Sequence, residues 1–310
     1  MSDDSYSQLR KHIKSEGISI PRSLLERSIL KTSLYAIVPH AFIWGALLFY
    51  YVGFVDYKYL PVFFMLFLAS QRCFQTLVHD SSHRLFSKNM KRNDTVANYV
   101  IAGWIGSTLQ AYRTIHFKHH AHNGSALDPE FISYGTIKKK YGGLIIYILR
   151  YIFCVEATRL FTKYYLNDKS TMNKNESKAV LSKSLIYDKL HIYVTQLTLL
   201  MLFILIDAGY LYILWVYIAV SWSPLLSGLR FLVEHPDETD KTVTTKSWFL
   251  EKIYFAPFNF NYHYEHHVWP SLPPYHLKEA HIYLCNQGFF ERYPEYLNSS
   301  YITSLWANVK

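Results

Sequence analysis

Four stretches of this chain are apolar over membrane-like lengths. Leu34 to Val55 and Leu60 to Val78 are separated only by Asp56-Tyr57-Lys58, and His191 to Ile206 and Tyr210 to Leu229 only by Asp207-Ala208-Gly209. A helix that crosses a bilayer needs about 20 apolar residues. The pattern therefore predicts two helical hairpins with very short tips, spanning about 34–55, 60–78, 190–206 and 210–229. Pro39 is expected to kink the first span near one end, and Pro224 falls near the end of the fourth.

The remaining residues, 79–188 and 230–310, are mostly polar and basic. Ala97 to Leu109 and Leu144 to Val155 are apolar but short. The first contains glycine and the second is interrupted by Arg150, so both read as interfacial or half-inserted helices. Residues 1–31 carry six cations, and Pro21 can open a helix there. With the crude stripe Leu24, Leu25, Ile29 and Leu30, this arm reads as an interfacial helix running into the first span. Asn167 to Lys178 reads as a solvated loop, and residues 271–310 as a cap outside the bilayer. The expected fold is all-α: a single integral-membrane domain over 1–310, with four transmembrane helices in two hairpins and a cytoplasmic helical cap.

Composition agrees. Half of the residues are hydrophobic and only 18% are charged, below the roughly 25% of soluble domains. The net charge of +9 is best matched to anionic headgroups, because no basic stripe is interleaved with aromatics as in a nucleic-acid surface. Lys and Arg crowd the N-terminal arm, the 84–188 segment and the C-terminal part, whereas the hairpin tips carry only Lys58. The positive-inside rule then puts both termini and the long loop in the cytoplasm. Cys73, Cys154 and Cys285 are isolated, which argues against a disulfide framework or a zinc ribbon. The polar start of the chain argues against a cleaved signal peptide.

The histidines change the picture most. Nine of the 15 fall in four places: His79 and His83; His116, His119 and His120; His235; and His263, His266 and His267. All four lie beyond the ends of the predicted spans, on one face of the membrane, with His79 and His235 closely following the second and fourth. Residues three or four apart share a helix face, so each triplet points two imidazoles one way and leaves a neighbour able to reach a second ion. Nine imidazoles exceed the four to six ligands of one ion, which implies two. Imidazole suits Zn, Cu, Fe and Ni alike, so ligand type does not name the metal.

The order His79-Asp80-x-x-His83, Tyr112-Arg113-x-x-His116-x-x-His119-His120 with Asp128-Pro129-Glu130, Glu234-His235, and Asn261-Tyr262-His263-Tyr264-Glu265-His266-His267-Val268-Trp269-Pro270 resembles the membrane fatty-acid desaturase and hydroxylase superfamily. The likeness runs from about Leu60 to His281. It implies a di-iron enzyme that uses O2 and two electrons from an external carrier to remove hydrogen from an unactivated C–H bond. Desaturation of an acyl chain is the leading reaction. Hydroxylation of a lipid or another hydrophobic substrate is the alternative on the same scaffold. The implied iron ligands are His79, His83, His116, His119, His120, His235, His263, His266 and His267. A metal-bound imidazole usually donates its other N–H to a carboxylate or carbonyl. Asp80, Asp128, Glu234 and Glu265 are placed to receive it, with Arg113 and Arg230 as their counter-ions and His122 behind the second triplet. Asn259 or Asn261 can hold a water on an iron.

The implied substrate is a membrane lipid or acyl group carried on lipid, CoA or carrier protein. No heme-binding His-Pro-Gly-Gly or iron–sulfur Cys pattern is present, so a ferredoxin, rubredoxin or cytochrome b5 is expected to supply the electrons. Trp104, Trp222, Phe258 and Trp269 are candidates to line a substrate tunnel, although aromatics in such chains more often pack or anchor at the interface. His12, His40, His191, His276 and His281 read as packing or interface residues. A zinc membrane hydrolase would need His-Glu-x-x-His, which is absent. A metal-binding transporter would place its ligands inside the spans rather than beyond them. The final residues resemble no retention signal, which favours a bacterial inner membrane over endoplasmic reticulum.

Overall fold

The computed structural model describes residues 8–123, 125, 127–130, 143–162, 180–236 and 241–307, and the statements below concern those. The loop expected at Asn167 to Lys178 lies outside them. The chain is helical. A two-residue parallel pairing, β1 (Thr244–Thr245) beside β2 (Leu297–Asn298), ties the segment after the last apolar stretch to the C-terminal region.

Helix α1 (Gln8–Ser15) precedes the first hairpin, formed by α2 (Ile29–Tyr51) and α3 (Leu60–Ser82). At its tip the Asp56 side chain accepts from Lys58 N and caps the turn Tyr57–Tyr59. Pro61 then occupies the first turn of α3, where its missing N–H matters least. Three stretches are long and apolar enough to cross a membrane: Ile29–Tyr51, Tyr57–Ser82 and Gly209–Glu234. The third expected span belongs to α8 (Val180–Leu205), whose apolar part, Lys189–Leu205, is shorter. Gly209–Glu234 comprises two helices, α9 (Gly209–Val220) and α10 (Trp222–Glu234), broken at Ser221. Pro224 therefore opens α10 rather than closing a single span.

Helix α3 is the axis of the assembly. From Phe67 to Ser82 almost every side chain is buried. Phe63, Phe67, Phe74 and Leu77 pack with Phe203 of α8, Leu211 and Trp215 of α9, and Leu225 and Leu229 of α10. Apolar contact gains little against lipid tails, so packing and polar ties must hold such helices together. The ties are present: Gln71 Nε2 donates to Trp215 O at 2.8 Å, and Ser70 Oγ to Pro39 O at 2.8 Å.

Ala97 to Leu109 is not one helix. Helix α4 (Met90–Val100) ends there, a 3-10 turn covers Ala102–Ile105, Gly106 takes φ +66°, and α5 (Leu109–His122) begins. Unwound backbone packed among apolar helices must find partners. Gln196 Nε2 donates to both Gly103 O and Trp104 O at 2.8 Å, His191 Nε2 to Ser107 O at 3.0 Å, and His40 Nε2 to Val100 O at 2.8 Å. The approach is close: a Cβ on Gly103 would stand 2.6 Å from Thr195 Oγ1 and 2.8 Å from His191 O. Gly103→Ala is expected to cost about 1–3 kcal/mol by overpacking, seen as a lower unfolding midpoint in detergent. An unchanged midpoint would mean that this contact does not constrain the fold.

The second short apolar stretch forms α6 (Leu144–Ile152) and α7 (Val155–Phe161), broken at Cys154 with φ +55°. Arg150 and Arg159 both pair with Glu156. Tyr147 and Tyr151 face inward, while Ile145, Ile146 and Leu149 are exposed.

The N-terminal arm departs from expectation. Leu9, Ile13 and Ile18 are buried in a second core with Tyr264, Val268, Trp269, Leu277 and Phe289. Helix α1 thus packs on α12 (His263–Val268), α13 (Leu277–Asn286) and α14 (Phe289–Arg292). Ile29 and Leu30 instead open α2 and stand exposed. The arm's buried stripe lies earlier in sequence than the one the pattern suggested.

Candidate metal centre

Helix ends bring the four histidine groups together. His79 lies in the last turn of α3 and His83 is its C-cap. Helix α5 carries His116, His119 and His120 in its last two turns. His235 is the C-cap of α10, and α12 presents His263, His266 and His267. Two consecutive residues with left-handed backbone, Phe258 (φ +60°) and Asn259 (φ +64°), reverse the chain just before α12. Such a conformation is costly for phenylalanine, on the order of 1–3 kcal/mol. The Phe258 ring is held by stacking on Tyr35, and Asn259 Nδ2 donates to Pro274 O at 3.3 Å.

The nine imidazoles form two groups, within each of which the candidate ligand atoms lie within 4.8 Å of one another: His79, His83, His116, His120 and His266; and His119, His235, His263 and His267. Their Nε2 atoms face inward. In the first group His116 Nε2 is 3.0 Å from His83 Nε2 and 2.9 Å from His120 Nε2, and His120 Nε2 is 3.1 Å from His266 Nε2. His79 Nε2 is buried with no hydrogen-bond partner. In the second group His263 Nε2 is 3.1 Å from both His235 and His267, and His267 Nε2 is 3.3 Å from His119.

Three of the opposite ring nitrogens are tied outward to carboxylates, whereas His263 Nδ1 and His267 Nδ1 are buried with no hydrogen-bond partner. His79 Nδ1 lies 2.9 Å from Asp80 Oδ1, His119 Nδ1 2.9 Å from Asp128 Oδ2, and His116 Nδ1 3.3 Å from Glu130 Oε1. Beside an ionised carboxylate, which can only accept, each of these three imidazoles carries its proton on Nδ1 and presents a lone pair at Nε2. Burial pushes His116, His120, His235, His263, His266 and His267 well below the ordinary imidazole pKa. It takes His83 to about 3, with Arg113 and Arg27 adding to the effect. Neutral rings with converging lone pairs repel one another unless a cation lies between them. Two nitrogens bound to one ion at about 2.1 Å and a right angle stand about 3.0 Å apart, which is the separation seen here. The residues present fit two metal ions.

The outer partners differ in part from expectation. Arg113 pairs with Asp94, at 2.6 and 2.8 Å, and donates to Ser82 O, so it is not a counter-ion to the carboxylates named above. Arg230 does serve Glu234, at 3.0 Å, and stacks over Phe260. Glu234 also receives Tyr301 Oη at 2.6 Å and lies 3.5 Å from His263 Nε2. Glu265 touches none of the nine imidazoles through a hydrogen bond; it binds His281 Nδ1 at 2.6 Å and Thr244 Oγ1. His281, read as a packing residue, thus anchors the back of α12. His122 is exposed: two residues beyond His120 is about 200° around the helix, away from the site. Asn259 is committed to Pro274, and Asn261 Nδ2 to Thr245 O at 3.0 Å. Trp104, Trp222 and Phe258 pack on the main core, whereas Trp269 belongs to the cap core. Glu130 and Thr242, the latter 3.4 Å from His235 Nδ1, were not anticipated. Glu130 lies in the Asp-Pro-Glu sequence and was legible there; Thr242 had no signal.

Apolar helices long enough to cross a membrane surround two clusters of inward-facing imidazoles that could each hold a metal ion, which defines a histidine-rich metal-site class built on spanning-length helices. The fatty acid desaturase family model matches residues 57–296, and the chain belongs to that family. It is 27% identical over 237 residues to dihydrorhizobitoxine desaturase of Bradyrhizobium elkanii, a match covering 71% of this chain and 66% of that protein.

Proposed function

We propose that this chain is an O2-dependent membrane desaturase that holds two iron ions and introduces a double bond into an acyl chain, using electrons from an external carrier. The observation that carries this reading is the pair of imidazole groups, five and four strong, with neutral Nε2 lone pairs facing one another. Family membership and the relative's name support desaturation. The whole chain acts as one domain. The four apolar stretches cross the bilayer, and the basic regions with all nine histidines face the cytoplasm, in a bacterial inner membrane.

In this scheme His79, His83, His116, His120 and His266 hold one ion and His119, His235, His263 and His267 the other. Bound iron supplies the redox chemistry that activates O2 against a C–H bond. The protein's own work is to fix the ligands: Asp80, Glu130 and Asp128 hold Nδ1 protons and so keep Nε2 free for metal, while Arg230 offsets the charge of buried Glu234. The dense core of α3, α9 and α10 keeps bulk water from the membrane side of the site.

Expression in a host of known lipid composition, followed by mass spectrometry of its lipids, tests the proposal. An acyl chain lighter by two hydrogens is expected. A gain of one oxygen, or no change with metal-loaded protein, would overturn it.

A further inference from the structure

Beyond the apolar stretches, one corner of the surface is apolar where a water-facing cap would be polar. It is formed by α11 (Phe249–Tyr254) and α15 (Tyr301–Ala307). Trp248, Phe249 and Leu250 at the start of α11 are 50, 73 and 41% exposed, and Ile302 and Trp306 of α15 are 52 and 69% exposed. Ile302 and Trp306 are four residues apart and share a helix face. The two helices are tied together: Glu251 accepts from Ser300 Oγ at 2.7 Å and from Ile302 N at 3.0 Å, and Tyr301 stacks on Phe255.

Arg72 fixes the depth of this unit. It is buried in α3, and its guanidinium donates to Tyr254 O at 2.7 Å and Phe255 O at 2.9 Å, at the end of α11. It also donates to Ser227 Oγ of α10 at 2.5 Å. Pairing with backbone carbonyls is the expected fate of an arginine inside a membrane bundle. Arg72 lies twelve residues from Leu60, so about 18 Å along the helix from its start, against a hydrocarbon core of about 30 Å. Arg72 thus lies in the histidine-side half of the span, and the end of α11 that it binds is held close to the membrane boundary rather than out in the cap. Exposed Lys246 and Lys252 flank the same stretch.

We propose that α11 and α15 form an interfacial anchor: the aromatic and aliphatic side chains enter the bilayer at headgroup depth, and Lys246 and Lys252 bind anionic lipid. Tryptophan at such a boundary keeps an apolar ring in lipid and its N–H in the wet zone, and each nearby lysine adds electrostatic attraction. Helix α11 leads through Phe255–Tyr262 directly into α12, so the anchor sets the height of His263, His266 and His267 above the membrane. This inference rests on the membrane reading above.

The test uses the full chain in nanodiscs of phosphatidylcholine and phosphatidylglycerol whose acyl chains are brominated near the headgroup. Tryptophan quenching is compared among wild type, Trp248→Phe, Trp306→Phe and Trp44→Phe; Trp44 is an exposed residue in the middle of α2. Each of the first two substitutions is expected to remove part of the quenchable signal. If both leave it unchanged while Trp44→Phe lowers it by bromine placed deeper, the patch faces water and the anchor is refuted with the spans intact. If Trp44→Phe also changes nothing at any depth, the membrane reading itself fails.

Discussion

His235→Ala is expected to abolish turnover and to lower bound iron while leaving the protein folded and inserted. His235 lies outside the His79–His83 pair and the two histidine triplets, beside Glu234 at the end of an apolar helix, and by composition alone it is an ordinary interface histidine. The geometry argues otherwise. Its Nε2 stands 3.1 Å from His263 Nε2, and its ring centre 4.8 and 5.2 Å from those of His119 and His267. The group it joins has four imidazoles, so its removal leaves three. Loss of a ligand should exceed the 10- to 100-fold effect typical of groups that merely orient ligands. His191→Ala is the control. His191 is also buried, but its Nε2 donates to Ser107 O in the unwound segment. Its loss should cost about 1–3 kcal/mol of stability for an unpaired buried carbonyl and leave iron content and most activity. Iron analysis of anaerobically reconstituted protein, with lipid turnover beside it, decides the matter. Full iron and near wild-type activity in the His235 variant would leave only eight ligands.

Part of this centre is legible in spacing alone. Helical periodicity requires that the first and last histidines of a His-x-x-His-His triplet share a side. His116 with His120, and His263 with His267, do share a group, while His119 and His266 cross to the other. What spacing cannot give is the exchange between triplets, because that depends on how α5 and α12 cross. The hairpin tips are legible for a similar reason: short polar breaks between long apolar runs leave one arrangement. The segment from Ala97 to Leu109 misleads, because its apolar residues conceal a break whose carbonyls are satisfied by Gln196, His191 and His40, far away in sequence. Glu265 misleads in the same way. Its place between ligands suggests a partner among them, yet a residue on the outer side of a short helix meets whatever packs there, and α13 brings His281. Arg113 pairs with Asp94, a helix away, for which no local signal exists.

Asp128→Asn is expected to lower turnover by about 10- to 100-fold and to deplete iron from the four-histidine group first. Asp128 is fully buried, and its two oxygens are both used: Oδ2 receives His119 Nδ1–H at 2.9 Å and Oδ1 receives Glu130 N at 2.9 Å. The asparagine has the same shape but one acceptor fewer. If its oxygen stays on Glu130 N, its amide donates toward His119 Nδ1, which forces the proton to Nε2 and blocks the metal-facing lone pair. If it turns, Glu130 N loses its acceptor. Either outcome also removes the negative charge that makes His119 a stronger donor. Glu130→Gln is the graded comparison. Its contact with His116 Nδ1 is longer, at 3.3 Å, and its side chain is 20% exposed, so water can replace it. His116 also sits among five imidazoles rather than four. A smaller loss is therefore expected for Glu130→Gln, with iron largely retained. Equal or larger loss at Glu130, or full occupancy with normal turnover in Asp128→Asn, would show that these carboxylates do not set the protonation of the imidazoles they touch.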